Sequence, residues 1–339
     1  MRTQLATLLA LSSFTAPLSE TPVLRFDPAE GSGLSVEMSA SRNLQGGELS
    51  VVMNGSEVPA SFLPELSLDE EDQRQLVFQE TYEAGADALS RRYETIRWTN
   101  VGQMEVSNPQ GSESYPWDMD AQTSIEGRTL RFEREDDGTL AATAIDNETV
   151  EIPQGLLGGL SLRELLPDEM VGLDESWEVD GSDLAVLFSP GGDFDWQMPE
   201  EAAEHMLPEI RERSHEGELD VTLTSIEGGL AVCKLEGTLE RITLQKGDLS
   251  QVPVADGTAT DTVTETWTVR GEMRWNVEAN HIHSISLEGD LHSETETERD
   301  PDQGSPTYSS TFTVEGTHAF ELTTEALTDE VIEASSSRE

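Results

Sequence analysis

The sequence predicts a mainly β fold of α+β class, in which strongly curved antiparallel meander sheets carry a short helical insert and wrap a helix. Three observations predict it. Apolar residues keep one parity over long stretches, as in Val263, Trp267, Val269, Met273, Trp275 and Val277, the period of a strand with one covered face. Glycines recur at that covered parity, where a sheet bends or another element approaches the backbone. Helical signals gather only in the middle of the chain.

Taken in order, the first stretch is MRTQLATLLALSSFTAPLSE, with one positive charge at Arg2, an apolar run from Leu5 to Leu11 and small or turn-forming residues through Ser19. That order is expected of a secretory signal peptide over residues 1–20. Residues 21–153 read as an N-terminal β-rich part. LSVEMSAS and GELSVVMN predict a hairpin around RNLQGG, RQLVFQETYE and ALSRRYETIRW a second around AGAD, and QTSIEGRTLRFERE with GTLAATAID a third.

Residues 154–216 read as the helical insert. GLSLRELLPDE brings Leu160, Leu162, Leu165 and Leu166, and GSDLAVLFSPGG starts at a Ser182 or Asp183 cap and stops at Pro190 and two glycines. MPEEAAEHMLPEIRERSHEG predicts a helix opening at Pro199, with acids in its first turn and Arg211 and Arg213 near its end. Pro208 is expected to kink or split it.

Residues 217–326 read as an antiparallel meander of five strands. Their apolar sets are Leu219, Val221 and Leu223; Ala231, Cys233, Leu235 and Leu239; the Val263–Val277 set; Ile285, Leu287 and Leu291; and Phe312, Val314, Phe320 and Leu322. Turns fall at Glu227–Gly229, at Glu278–Asn280 and in the loop Asp300–Pro306. Residues 327–339 are expected to be a flexible tail.

Gly237, Gly271, Gly289 and Gly316 share the parity of the apolar residues beside them. A glycine inside a strand costs about 0.5–1 kcal/mol relative to alanine, so the four call for a structural reason. Placing Gly271 opposite Gly289 puts Met273 opposite Leu287 and Trp275 opposite Ile285; extending the register aligns all four glycines in one row. The row predicts a crease or groove lined by these glycines with Met273, Trp275 and Leu287.

Composition limits the function. Sixty-eight acidic against 20 basic residues leave a net charge of −48, and only Lys234 and Lys246 are lysines. Such a surface repels nucleic acid and anionic lipid head groups. The acids are spread along the whole chain, as in adaptation to a salty medium; binding of cations is the alternative. After the leader no stretch approaches the about 18 apolar residues that span a bilayer. Cys233 is the only cysteine, so no internal disulfide or thiolate cluster forms.

Candidate chemistry is sparse. His281 and His283 would share one strand face at a spacing that suits a transition metal, but no third ligand accompanies them. His205, His215 and His318 are isolated. DPDQGS lacks the later bidentate glutamate of a calcium loop. GLSLR is the nearest approach to a nucleophile elbow and ends in Arg163. No catalytic residue and no cofactor is assigned.

The segment Leu162–Asp193 resembles a recurring signature of uncharacterised exported proteins of planctomycete-type bacteria, in which a Leu-Pro stretch leads to a valine, a Gly-Asp-like turn, a tryptophan and a helix closed by Pro-Gly-Gly. The matching residues are Leu166, Pro167, Val171, Asp174, Trp177, Pro190, Gly191 and Gly192, with Asp174 standing where a glycine is usual. The resemblance implies export and no activity. The favoured expectation is a non-catalytic exported envelope protein, periplasmic or extracellular, that binds a hydrophobic small molecule in an apolar groove or meets an envelope protein. The alternatives are a structural or protein-interaction module with a filled core and, last, an extracytoplasmic hydrolase.

Overall fold

A computed structural model describes residues 24–83, 88–134, 140–145, 152–153, 155–160, 162–197, 210–248, 258–299 and 307–328. The leader at residues 1–20, most of the tail, and Pro199 to Pro208 of the third expected helix lie outside them. The strands are β1 (Gly33–Met53), β2 (Ser56–Glu57), β3 (Glu65–Tyr82), β4 (Ala88–Asn108), β5 (Gly111–Thr123), β6 (Thr129–Arg134), β7 (Leu140–Ala144) and β8 (Gly155–Leu156). After the insert's β9 (Ser176–Asp180), α1 (Ala185–Phe188), β10 (Gly192–Asp193) and β11 (Trp196–Gln197) come β12 (Ile210–Glu227), β13 (Leu230–Asp248), β14 (Thr258–Asn276), β15 (His281–Arg299) and β16 (Tyr308–Ala326).

The long strands form one antiparallel sheet in the order β11-β5-β4-β3-β1-β16-β15-β14-β13-β12-β9. The five C-terminal strands are the expected meander. Their last member, β16, pairs along its length with β1, so both β-rich parts share one sheet. The sheet is strongly curved but does not close, and β5 and β12 are left at its two ends. The insert covers parts of both: β9 adds to β12, and β11 adds to β5. Unpaired strand edges invite aggregation, and short added strands of this kind blunt them.

Two local expectations are corrected. Gly33–Met53 is one strand and not a hairpin: Gly46 and Gly47 take positive φ and form a bulge that shifts register between Gln45 and Glu48. Arg211 and Arg213 lie in β12, which starts at Ile210 inside the range read as helical. There the alternation Arg213, His215, Gly217, Leu219 continues a strand face, and pairing with β13 outweighs the helical charge pattern. The second and third expected hairpins are β3–β4 and β6–β7.

The concave face holds the core. Met38, Phe78, Tyr93, Leu219, Leu235, Trp267, Met273, Trp275, Ile285 and Phe320 are all 2% exposed or less. The insert supplies the other wall, with Leu162, Leu165, Leu184, Val186, Leu187 and Phe188 buried against them. Each such side chain contributes on the order of 1.5–3 kcal/mol of burial. Helix in the insert is brief: single turns at Arg163–Leu165 and Gly181–Asp183, the latter capped by Asp180, and the four residues of α1.

Candidate functional site

The glycines do not form one straight row. Gly271 pairs with Leu287, Gly289 with Val269 and His318, Gly237 with Val269 and Leu219, and Gly316 with Leu291 and Leu44. The pairing is offset by two residues from the expected one, so the glycines zigzag across the concave face. Bulged turns and pairing along the full strand length, β1 included, set the register. The four glycines instead mark close approaches of neighbouring backbone: a Cβ on Gly237, Gly271, Gly289 or Gly316 would collide with the carbonyl of Glu218, Ser286, Thr268 or Asn43 on the adjacent strand. Met273, Trp275 and Leu287 are buried in the core.

Curvature creates the polar site. Arg42, Asp72, Asn100 and His318 lie side by side in register on β1, β3, β4 and β16, all facing inward. Glu265 is on β14, three strands from Arg42. With strands about 4.8 Å apart, a flat sheet would separate them by about 14 Å, yet Arg42 Nη1 donates to Glu265 Oε1 at 2.7 Å. Arg241 Nε donates to the other oxygen, Oε2, at 2.6 Å. Arg42 Nη2 also bonds Glu70 at 2.5 Å, and Asn100 Nδ2 joins Glu70 at 2.8 Å. Trp98 Nε1 donates to Asp72 Oδ2 at 2.7 Å, and Trp117 donates to Asn100.

Electrostatics follow from this geometry. Burial raises the Glu265 carboxyl, but Arg241 and Arg42 outweigh it and hold it well below the usual carboxylate range. Asp72 is likewise lowered against its burial by Arg42 and Arg74. Arg74 is lowered by burial and by repulsion from Arg241 and Arg42, with only partial relief from Asp72 at 3.7 Å. Carboxylates held ionised in this way accept hydrogen bonds and do not donate protons near neutral pH. The belt therefore fastens β1, β3, β4, β13 and β14 together through ionic hydrogen bonds.

The insert is fastened to the belt. His318 Nε2 donates to the Leu187 carbonyl at 3.1 Å, and Arg241 Nη1 donates to Ser189 Oγ at 3.1 Å. Phe188 stacks on His318 with centroids 5.7 Å apart and lies 5.2 Å beneath the Arg241 guanidinium. Burial lowers His318 to about 4, and burial with Arg241 and Arg213 lowers His215 to about 4. A second fastener holds the insert's start: fully buried Arg91 pairs with Glu80 at 2.5 Å and donates to the carbonyls of Leu157 at 3.3 Å and Gly158 at 2.8 Å.

The space beneath the bend is thus filled by the chain's own α1 and its flanking turns. Among the described residues, a void of about 20 Å³ lies at the belt and another of the same size at the Arg91 fastener, each roughly the room of one water. His281 is buried, with Nδ1 against the Ile282 carbonyl at 2.7 Å, whereas His283 is exposed. The bulge between Arg274 and Trp275 inserts His283 as an extra residue and turns the two apart. No three His, Cys, Asp or Glu side chains converge as metal ligands among the described residues. Buried Cys233 is pushed up to about 12 by its apolar surroundings.

Sequence reasoning missed the belt residues Arg42, Glu70, Asp72, Arg74, Arg241 and Glu265. A signal was present: each charge keeps the parity of apolar neighbours, as Glu265 does with Trp267 and Arg241 with Leu239. The signature segment is the insert's core. Trp177 Nε1 donates to the Leu165 carbonyl at 2.9 Å, Asp174 takes a φ of 64°, and Gly191 and Gly192 take φ of 79° and 91°.

Fold and site together define an open antiparallel trough plugged by its own insert. No protein-family model matches the chain. None of the curated proteins matches it. Among solved structures it is similar to an outer-membrane channel from Pseudomonas putida F1, at 6% identity and a TM-score of 0.19, over 89% of this chain and 98% of that one. It is also similar to a chain of the type II secretion system outer membrane complex of Klebsiella pneumoniae, at 11% identity and a TM-score of 0.20, over 91% of this chain and 43% of that one. At such TM-scores these likenesses assign neither a fold family nor a function. The sheet's polarity is the reverse of a lipid-facing barrel, with apolar residues inside and acids on the convex face. No helix among the described residues is long and apolar enough to cross a membrane.

Proposed function

We propose that the protein is a non-catalytic, exported module of the cell envelope that acts as a structural or protein-interaction element, of the kind suggested by the planctomycete-type signature. One observation carries the choice between the filled-core and ligand-groove readings: α1 and the Pro190-Gly191-Gly192 turn occupy the trough in which an apolar ligand would lie. The voids at the belt and at the Arg91 fastener, about 20 Å³ each among the described residues, are far below the about 300–1,000 Å³ of a small-molecule pocket. Export is supported by the leader-like residues 1–20, and the acidic convex face speaks against nucleic acid and anionic membranes as partners.

The test is expression of the full chain in a bacterial host with fractionation and N-terminal sequencing, then native mass spectrometry of the purified protein. The proposal expects a product shortened at its N-terminus outside the cytoplasm and a mass free of bound lipid. An uncut cytoplasmic protein would refute export. A co-purifying apolar molecule in stoichiometric amount would restore the groove reading.

A further inference from the structure

We infer that the void at the ionic belt, whose walls include Ala40, Arg42, Asp72, Arg74, Arg241, Glu265 and His318, binds one water that bridges Arg42 to His318. Its volume of about 20 Å³ exceeds the about 10–15 Å³ that a water requires. Two buried atoms in its walls, Arg42 Nε and His318 Nδ1, have no hydrogen-bond partner. They are of opposite character. Arg42 Nε–H only donates. His318 Nε2 faces the Leu187 carbonyl at 3.1 Å and must carry the ring proton, so Nδ1 presents a lone pair. Arg74 makes no hydrogen bond among the described residues, and its nearest carboxylate oxygen is 3.7 Å away.

The ligand must therefore accept from a guanidinium and donate to an imidazole lone pair. A halide meets the first demand and is repelled by the second. A metal cation meets the second and is repelled by the arginines. The walls set Arg42, Arg74 and Arg241 against Asp72 and Glu265, and the remaining positive charge is met outside the void by Glu70, 2.5 Å from Arg42 Nη2, so the belt as a whole carries no net charge for an ion to neutralise. Water satisfies both groups, and its second proton has Asp72 as a neighbour in the lining. The bridge would fix the His318 tautomer that holds the Leu187 carbonyl and so join the insert to the belt.

The experiment is diffraction from crystals of the full chain grown in sodium bromide, measured at the bromine edge. The inference expects a density peak at hydrogen-bond distance from both Arg42 Nε and His318 Nδ1, with no anomalous signal there. An anomalous peak would overturn it in favour of an anion site. Absent density with the two nitrogens unbridged would overturn it as well. In solution, oxygen-17 relaxation dispersion should count one fewer long-lived water in Ala40→Val than in the parent; an unchanged count in a folded variant contradicts the assignment.

Discussion

At single residues the trough depends on missing side chains. Gly289 and Gly316 sit where neighbouring strands approach so closely that a Cβ would strike a carbonyl oxygen. In an ordinary strand, replacing glycine with alanine gains about 0.5–1 kcal/mol. Here Gly289→Ala is expected to reverse the sign and lose about 1–3 kcal/mol through overpacking, read from urea midpoints; a gain would show that the bend does not depend on the glycine. Asp174 gives a complementary case. Its φ of 64° is left-handed, and it is exposed. Asp174→Val should cost about 1–2 kcal/mol, whereas Asp174→Gly should not lower the melting temperature. Equal loss in both variants would mean that the carboxylate matters and the backbone does not.

At the scale of elements, the insert is held by charge as well as by apolar contact. Glu265→Gln leaves Arg42 and Arg241 without their shared carboxylate in a nearly buried setting. The expected loss is about 3–5 kcal/mol, with far-UV dichroism of the folded variant unchanged; a loss below about 1 kcal/mol would place the belt among weak surface pairs. The histidines set a pH dependence. His215 and His318 titrate near 4 in the folded protein and near 6.5 when unfolded. Between these values the unfolded chain binds more protons, so stability is fullest above about pH 6.5 and falls as pH drops toward 4. Glu265, held ionised by its arginines, adds to the loss below about pH 4.5. Equilibrium unfolding between pH 7.5 and 4 checks this, and His318→Phe should flatten part of the slope.

Across the whole molecule, curvature and charge oppose each other. On the convex face Asp220 lies between Glu178 and Glu236 in register, and Glu216 pairs with Glu240. Like charges directly opposite each other destabilise a sheet, and the net charge of −48 adds long-range repulsion. The Debye length falls from about 30 Å at 0.01 M salt to about 3 Å at 1 M. The melting temperature should therefore rise steeply with sodium chloride over that range and rise little with sucrose of equal osmolality. A flat salt profile would mean that the acids are not the main source of strain.

Much of the architecture was legible along the chain because a strand writes its covered face into every second residue. The five-stranded meander, the hairpins β3–β4 and β6–β7 and the insert between the two β-rich parts all follow from periods and turn residues that act locally. The belt was not legible, because a charge at an apolar parity looks like a flaw until its partner is known. Arg42 and Glu265 are far apart in sequence and three strands apart in the sheet, and only the curvature brings them to 2.7 Å. The same holds for the pairing of β1 with β16, for the two-residue offset of the glycines, and for the insert that fills the trough. The sequence by itself determined a curved antiparallel β protein with an acidic exterior. Tertiary structure alone decided what lies inside the curve, because contacts between distant segments depend on register and bend, and neither is recorded in any local stretch.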